Sequence, residues 1–167
     1  IRCKLIESSI FSQAMQIPPD FLLELAKSGL WGFARCLNAI KQYSQNDKKI
    51  NAINIFAPFI PLSLYEEFLS IIFTMNEEKD IRKTIEIILP FIPKDFLPKI
   101  IQEVKKIRNE YEKIRILMDI SEYTNDIKYD VLLSHIRKIT DNYERSLSML
   151  IYTTKQEGFP KRELILE

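Results

Sequence analysis

Residues 53–68 read INIFAPFIPLSLYEEF, and residues 85–100 read IEIILPFIPKDFLPKI. The tetrapeptide PFIP stands in both, at Pro58–Pro61 and again at Pro90–Pro93, an offset of 32 in the numbering (90 − 58). A fixed spacing between two such unusual strings points to an internal repeat, and a missed repeat misleads every other reading of a chain.

Rows of that length bring out columns. One holds Phe33, Tyr65, Leu97 and Tyr129, and the next Cys36, Phe68, Ile100 and Leu132. Three more follow: Leu37, Leu69, Ile101, Leu133; Ile40, Ile72, Val104, Ile136; and Tyr43, Met75, Ile107, Ile139. Every member is apolar. Offsets of 0, 3, 4, 7 and 10 within a row form the stripe of one helix face, and the alternation of a strand is missing. Ile53, Ile85, Leu117 and Met149, with Phe56, Ile88, Ile120 and Tyr152, mark a second helix per row. A lone helix pair cannot bury its stripe, but stacked neighbours can. The rows therefore predict an all-α, right-handed α-solenoid of antiparallel helix pairs, one pair to each row.

Turn chemistry agrees. Asn109 and Asp141 are expected to cap the second helices of rows three and four, with Glu112 and Glu144 three residues later completing a capping box. Ser63 with Glu66 gives the same signal before a first helix. Pro58 and Pro90 fall where a second helix must stop. The residue before each following proline is held extended, and Pro61 and Pro93 lead into the next helix, where a missing N–H costs nothing.

One solenoid domain is expected over 1–167: a degenerate unit at 1–28, repeats at 29–60, 61–92, 93–124 and 125–157, and a partial repeat at 158–167. In the first unit Ile1, Leu5 and Phe11 fall on columns but Lys4 and Ser8 do not. Asp20 is expected to cap its second helix and Gly29 to end it. Row four replaces PFIP by Glu122–Asn125. Gly158-Phe159-Pro160 punctuates again, and Leu164 and Ile165 return to the columns. The chain opens on Ile1 rather than Met, and we expect it to be part of a longer protein.

Composition bounds the function. The 24 basic and 23 acidic residues give a net charge of +1, so no bulk attraction to nucleic acid or anionic membrane is expected. The longest uncharged run, Ile50–Tyr65, is too short and too broken to span a bilayer. No secretory signal is visible, and two cysteines make no disulfide framework; a reduced, cytoplasmic setting follows. His135 is the single histidine and reads as a surface residue, and one imidazole cannot make a usual zinc site. Cys36 lies in a core column, and Cys3 has no activator. Phosphate-binding loops and hydrolase motifs are missing. Glu66-Glu67 and Glu77-Glu78 read as solvated charge. No catalytic residue, metal ligand or cofactor is expected. Candidate partner contacts are Trp31, at the start of a first helix, and Tyr111 and Tyr143, which share a column in the turns between helices.

Pro58, Pro61, Pro90 and Pro93, with the NEYEK and DNYER turns, resemble the HEAT-like helical repeats of multidomain bacterial proteins, where such arrays often follow a signalling NTPase or a protease-like module. The resemblance covers residues 29–158 and is best over Ala57–Tyr123. It implies a recognition or regulatory array, with a protein or peptide partner and the adjoining domains of a parent chain as its contacts, and it transfers no catalytic residue. Two alternatives stand beside this. An RNA-binding helical array would need a sustained basic column, and Lys83, Arg115, Leu147 does not supply one. A stand-alone helical inhibitor fits poorly with an unfinished final repeat.

Overall fold

The computed structural model describes residues 16–124, 127 and 129–162. Ile1, Cys3, Lys4, Leu5, Ser8, Phe11, Asn125, Leu164 and Ile165 lie outside the described residues. The described residues are all-helical, with no strand among them. In chain order the helices are α1 (Pro19–Lys27), α2 (Phe33–Lys41), α3 (Asn46–Phe56), α4 (Tyr65–Phe73), α5 (Glu78–Ile88), α6 (Leu97–Val104), α7 (Glu110–Ile120), α8 (Tyr129–Ile136) and α9 (Asn142–Arg162). α2, α4, α6 and α8 begin at 33, 65, 97 and 129; α3, α5, α7 and α9 begin at 46, 78, 110 and 142. Single 3₁₀ turns at Ala57–Phe59 and Leu62–Leu64 recur at Leu89–Phe91 and Lys94–Phe96.

The chain divides into two compact units, Ile1–Ile92 and Pro93–Glu167, and the division falls inside the second PFIP. In the first unit α3 packs against both α1 and α5, and α2 packs against α3 and α4. In the second, α7 packs against α6, α8 and α9, and α8 against α9. The apolar columns form these interiors. Cys36, Phe68, Ile100 and Leu132 are buried, as are Ile40, Ile72, Val104 and Ile136, and the column from Tyr43 to Ile139. Phe33 and Leu133 are half-buried. Phe33 meets Phe56 edge to face, with ring centroids 6.1 Å apart, and Tyr65 meets Phe68 the same way at 6.0 Å.

Both PFIP copies act as the proline rules require. α3 and α5 end two residues before Pro58 and Pro90, and each proline sits in a 3₁₀ turn. Ile60 (ψ 123) and Ile92 (ψ 124) are extended ahead of Pro61 and Pro93. The next α-helix does not start at once. Pro61 and Pro93 open a further 3₁₀ turn, closed by Leu64 N–H to Pro61 O and Phe96 N–H to Pro93 O, each at 2.9 Å. That turn removes Ser63 from the capping role. It lies inside the turn, and α4 starts from Leu64 with no side-chain cap.

Asn109 does cap α7, its Oδ1 accepting from Tyr111 N at 2.9 Å and Glu112 N at 3.2 Å. Asp141 accepts from Glu144 N at 2.8 Å. Because these two residues start the helices, Tyr111 and Tyr143 stand in the first turns of α7 and α9 and not in the inter-helix turns. Asp20 is not a cap either. Pro18 is the N-cap of α1 and Pro19 its first residue, so Asp20 moves into the first turn, where its charge suits the helix dipole. Gly29 ends α1 with φ +75, a conformation that glycine adopts without penalty; its N–H bonds Ala26 O at 3.1 Å. Gly158-Phe159-Pro160 does not break the chain: α9 continues through it to Arg162.

Candidate functional site

α3 and α5 run the same way. Asn46 Nδ2, at the start of α3, donates to Asp80 Oδ2 in the first turn of α5 at 2.7 Å, tying the two N-terminal ends together. Their C-terminal ends, each closed by a PFIP turn, therefore share one edge of the first unit. α1 ends at that edge too, since Lys27 Nζ lies 4.2 Å above the Phe59 ring. Packed helices sit about 8–10 Å apart, which sets the step from one turn to the next.

Each turn buries its first residue and leaves its phenylalanine exposed. Ala57, Ile60 and Leu89 are buried, whereas Phe59 is 45% and Phe91 43% exposed. Leu30, Leu62 and Ile87 are exposed as well. The Tyr65 hydroxyl donates to the carbonyl of Phe91 at 2.7 Å, which fixes the backbone beneath that ring. The first unit thus carries a rim of apolar side chains on proline-locked turns. Tyr123, one row after Phe91 in the same column, is 41% exposed in the second unit. Sequence reasoning gave PFIP a punctuation role and missed this. The available signal was the column Lys27, Phe59, Phe91, Tyr123, apolar in three consecutive rows yet outside both helix stripes.

The three candidate contacts differ. Trp31 precedes α2, half-buried, with the Arg35 guanidinium 4.0 Å from its ring centroid. Tyr111 is also half-buried, its hydroxyl 3.4 Å from Arg115 Nη1 and its ring 6.0 Å from that guanidinium. Tyr143 stands open at 77% exposure. Trp31 lies in the first unit and Tyr111 and Tyr143 in the second.

His135 is not a free surface residue. It lies in the last turn of α8, and its Nδ1 is 3.1 Å from Glu110 Oε2 at the start of α7, while Glu110 Oε1 takes Lys113 Nζ at 2.7 Å. Burial pushes the Glu110 carboxyl up, but the hydrogen bonds and charges of Lys113 and His135 outweigh it and hold the group below its ordinary value. Lys113 is almost wholly covered, so this cluster is a structural tie between α7 and α8.

Cys36 is buried with Sγ 3.6 Å from Leu22 O. Burial raises its thiol pKa against the opposing pull of Arg35, which keeps it protonated and unreactive. The Tyr43 hydroxyl, bonded to Ile17 O at 2.7 Å, is pushed up to about 12 by burial and by Cys36. Of the acidic pairs, Glu66 and Glu77 are exposed and Glu67 and Glu78 half-buried. Among the described residues no group of three or more His, Cys, Asp or Glu could hold a metal ion, and no helix is long and apolar enough to cross a membrane. No family model, curated protein or solved structure matches the chain.

Proposed function

We propose that the chain is a non-catalytic scaffold of repeated helix pairs, a right-handed α-solenoid segment that recognises a protein or peptide partner, as in the recognition or regulatory arrays of signalling proteins. The observation that carries this reading is the coincidence of three features on one period: helix starts, buried columns and exposed aromatic rim residues. Helix starts and buried columns alone would describe a stack. An aromatic exposed at the same place in successive turns is a cost the core does not require, and aromatic residues are enriched where interfaces form.

Phe59 and Phe91 are the principal contacts in this reading. Trp31, Tyr111 and Tyr143 are accessory ones, of which Tyr143 is the most available. A partner suited to the rim is apolar and extended, since turns about 8–10 Å apart match roughly every third residue of a strand-like or polyproline segment. No observation favours an RNA partner: Arg115 is half-buried against Tyr111, and Leu147, also half-buried, interrupts the one basic column.

The test compares the wild-type chain with F59S/F91S in affinity capture from a cell extract. Binding of a specific partner should be lost in the variant. Its Tm should move by no more than about 1–2 °C, because exposed substitutions change stability little. Retained binding in F59S/F91S with loss in Trp31→Ala, Tyr111→Ala or Tyr143→Ala would remove the rim from the reading. Tight binding of single-stranded RNA would overturn it altogether.

A further inference from the structure

Lys48 and Lys49 are neighbours in the first turn of α3, and the fold treats them differently. Both are half-buried. The Lys48 ammonium lies 4.4 Å from the centroid of the Tyr43 ring, a contact that favours its charge. Among the described residues no carboxylate, carbonyl or ring partners the Lys49 Nζ. The helix register shows why. Lys49, Ile81 and Lys113 hold the same place in α3, α5 and α7, the fourth residue of each. In α7 the nearly covered Lys113 reaches Glu110, three residues back, at 2.7 Å. In α5 the position is apolar, and Ile81 is buried there. In α3 the residue three back is Asn46, which is neutral and whose Nδ2 is already committed to Asp80. α3 thus sets a lysine where its counterparts are either apolar or ion-paired, and supplies no counter-charge.

Three effects act against the ammonium. Its surroundings are partly stripped of water, and this burial pushes the amine below the ordinary lysine value. It stands in the first turn of a helix, at the positive end of the dipole. Gln45, the N-cap, makes no side-chain bond that would offset that end. An amine held towards its neutral form presents a free lone pair, and a half-buried position leaves it reachable.

We propose that Lys49 is a covalent modification site, its Nζ taking an acyl group from an activated acyl donor. The Nζ lone pair attacks the donor's carbonyl carbon. An N–C bond forms, and the bond to the phosphate or thiolate leaving group breaks. The leaving group departs with the electron pair, and the nitrogen gives up its proton to water. The product amide is neutral, so it removes the charge that the site opposes. Acylation of Lys49 therefore stabilises the start of α3, whereas the same change at Lys48 forfeits the Tyr43 contact. The inference uses this one helix turn and not the rim, and it stands or falls apart from the partner reading above.

Competitive acetylation of the whole folded chain at neutral pH tests it. One arm uses a limiting amount of acetyl phosphate and a second an acetyl thioester, each read residue by residue by mass spectrometry. Lys49 should be labelled several-fold faster than Lys48 by at least one donor. The difference should vanish in urea, where the two lysines keep their sequence context and lose the fold. Lys49→Met keeps the apolar stem without the charge and should raise Tm by about 1–3 °C, whereas Lys48→Met should lower it. Equal or slower labelling of Lys49 by both donors overturns the proposal. So does a preference that persists in urea, or a Tm that falls in Lys49→Met.

Discussion

Replacing Ile101 by alanine, beside the same change at Lys105, tests the face assignment at the C-terminal end of α6. Ile101 is 9% exposed and points into the stripe with Leu97, Ile100 and Val104, all buried. Lys105 follows the helix end and is exposed. The isoleucine change removes three carbons, about 2.4 kcal/mol of transfer free energy at ~0.8 kcal/mol each. A residual cavity adds to this, and the expected total is about 2–5 kcal/mol. For a chain of this size each kcal/mol moves Tm by about 2–4 °C, so the melting point should fall by about 4–20 °C. Lys105→Ala should cost under about 0.5 kcal/mol, a shift of no more than about 2 °C. Differential scanning calorimetry of both variants, with the wild type, reads the difference. Equal shifts would mean that the repeat columns do not mark the buried face, and the repeat reading built on them would go as well.

Asn109→Ala removes both acceptor contacts to the first turn of α7 and should destabilise by about 1 kcal/mol, measured by urea unfolding, with Asn109→Asp close to wild type. The Glu110 carboxyl gives a pH signature. Its folded pKa lies below the ordinary 4.5, so its contribution is present above that value and declines as pH falls through and below it. Glu110→Gln should be less stable than wild type at neutral pH, and the gap should narrow under acid; a gap that is constant with pH would refute the cluster.

The all-helical fold is legible in the sequence because a recurring apolar pattern multiplies weak evidence. A single stripe such as Phe33, Cys36, Leu37, Ile40 leaves the next element undefined, whereas four stripes at one spacing place α2, α4, α6 and α8 together, and those helices begin at 33, 65, 97 and 129. Asn109 and Asp141 are legible for a local reason: each cap bond lies within three residues of its acceptor. Ser63 misleads because the competing device, a 3₁₀ turn launched by Pro61, satisfies the same backbone with no side chain. Asp20 misleads because Pro19 takes the first helical position. The His135–Glu110 contact is beyond reach of pattern reading: 25 residues separate the partners, and nothing in either helix's period says which rotamers meet. Tyr111 is half legible. Its column is plain, but the Arg115 guanidinium that engages it only comes into view with the helix built.

The two prolines of each PFIP serve the same physical end at two levels. In the chain, Pro58 stops α3 and Pro61 restricts Ile60 to an extended conformation, so the short path between them has few alternatives in the unfolded state and little entropy to lose on folding. In the folded unit, that same restriction holds Phe59 at the edge while Ile60 anchors the turn inward. A ring on a stiff turn loses less freedom when something binds it than a ring on a mobile loop, so the affinity cost of ordering is already met by the fold. Lys27 Nζ sits over the Phe59 ring, 4.2 Å from its centroid. Phe91 repeats the geometry on the next turn, with its backbone fixed by Tyr65. A turn needed only to end a helix would be served by any small or polar residue between its prolines. In the proposed reading, the phenylalanine held there twice, and out of the core both times, serves what approaches the edge and not what lies beneath it.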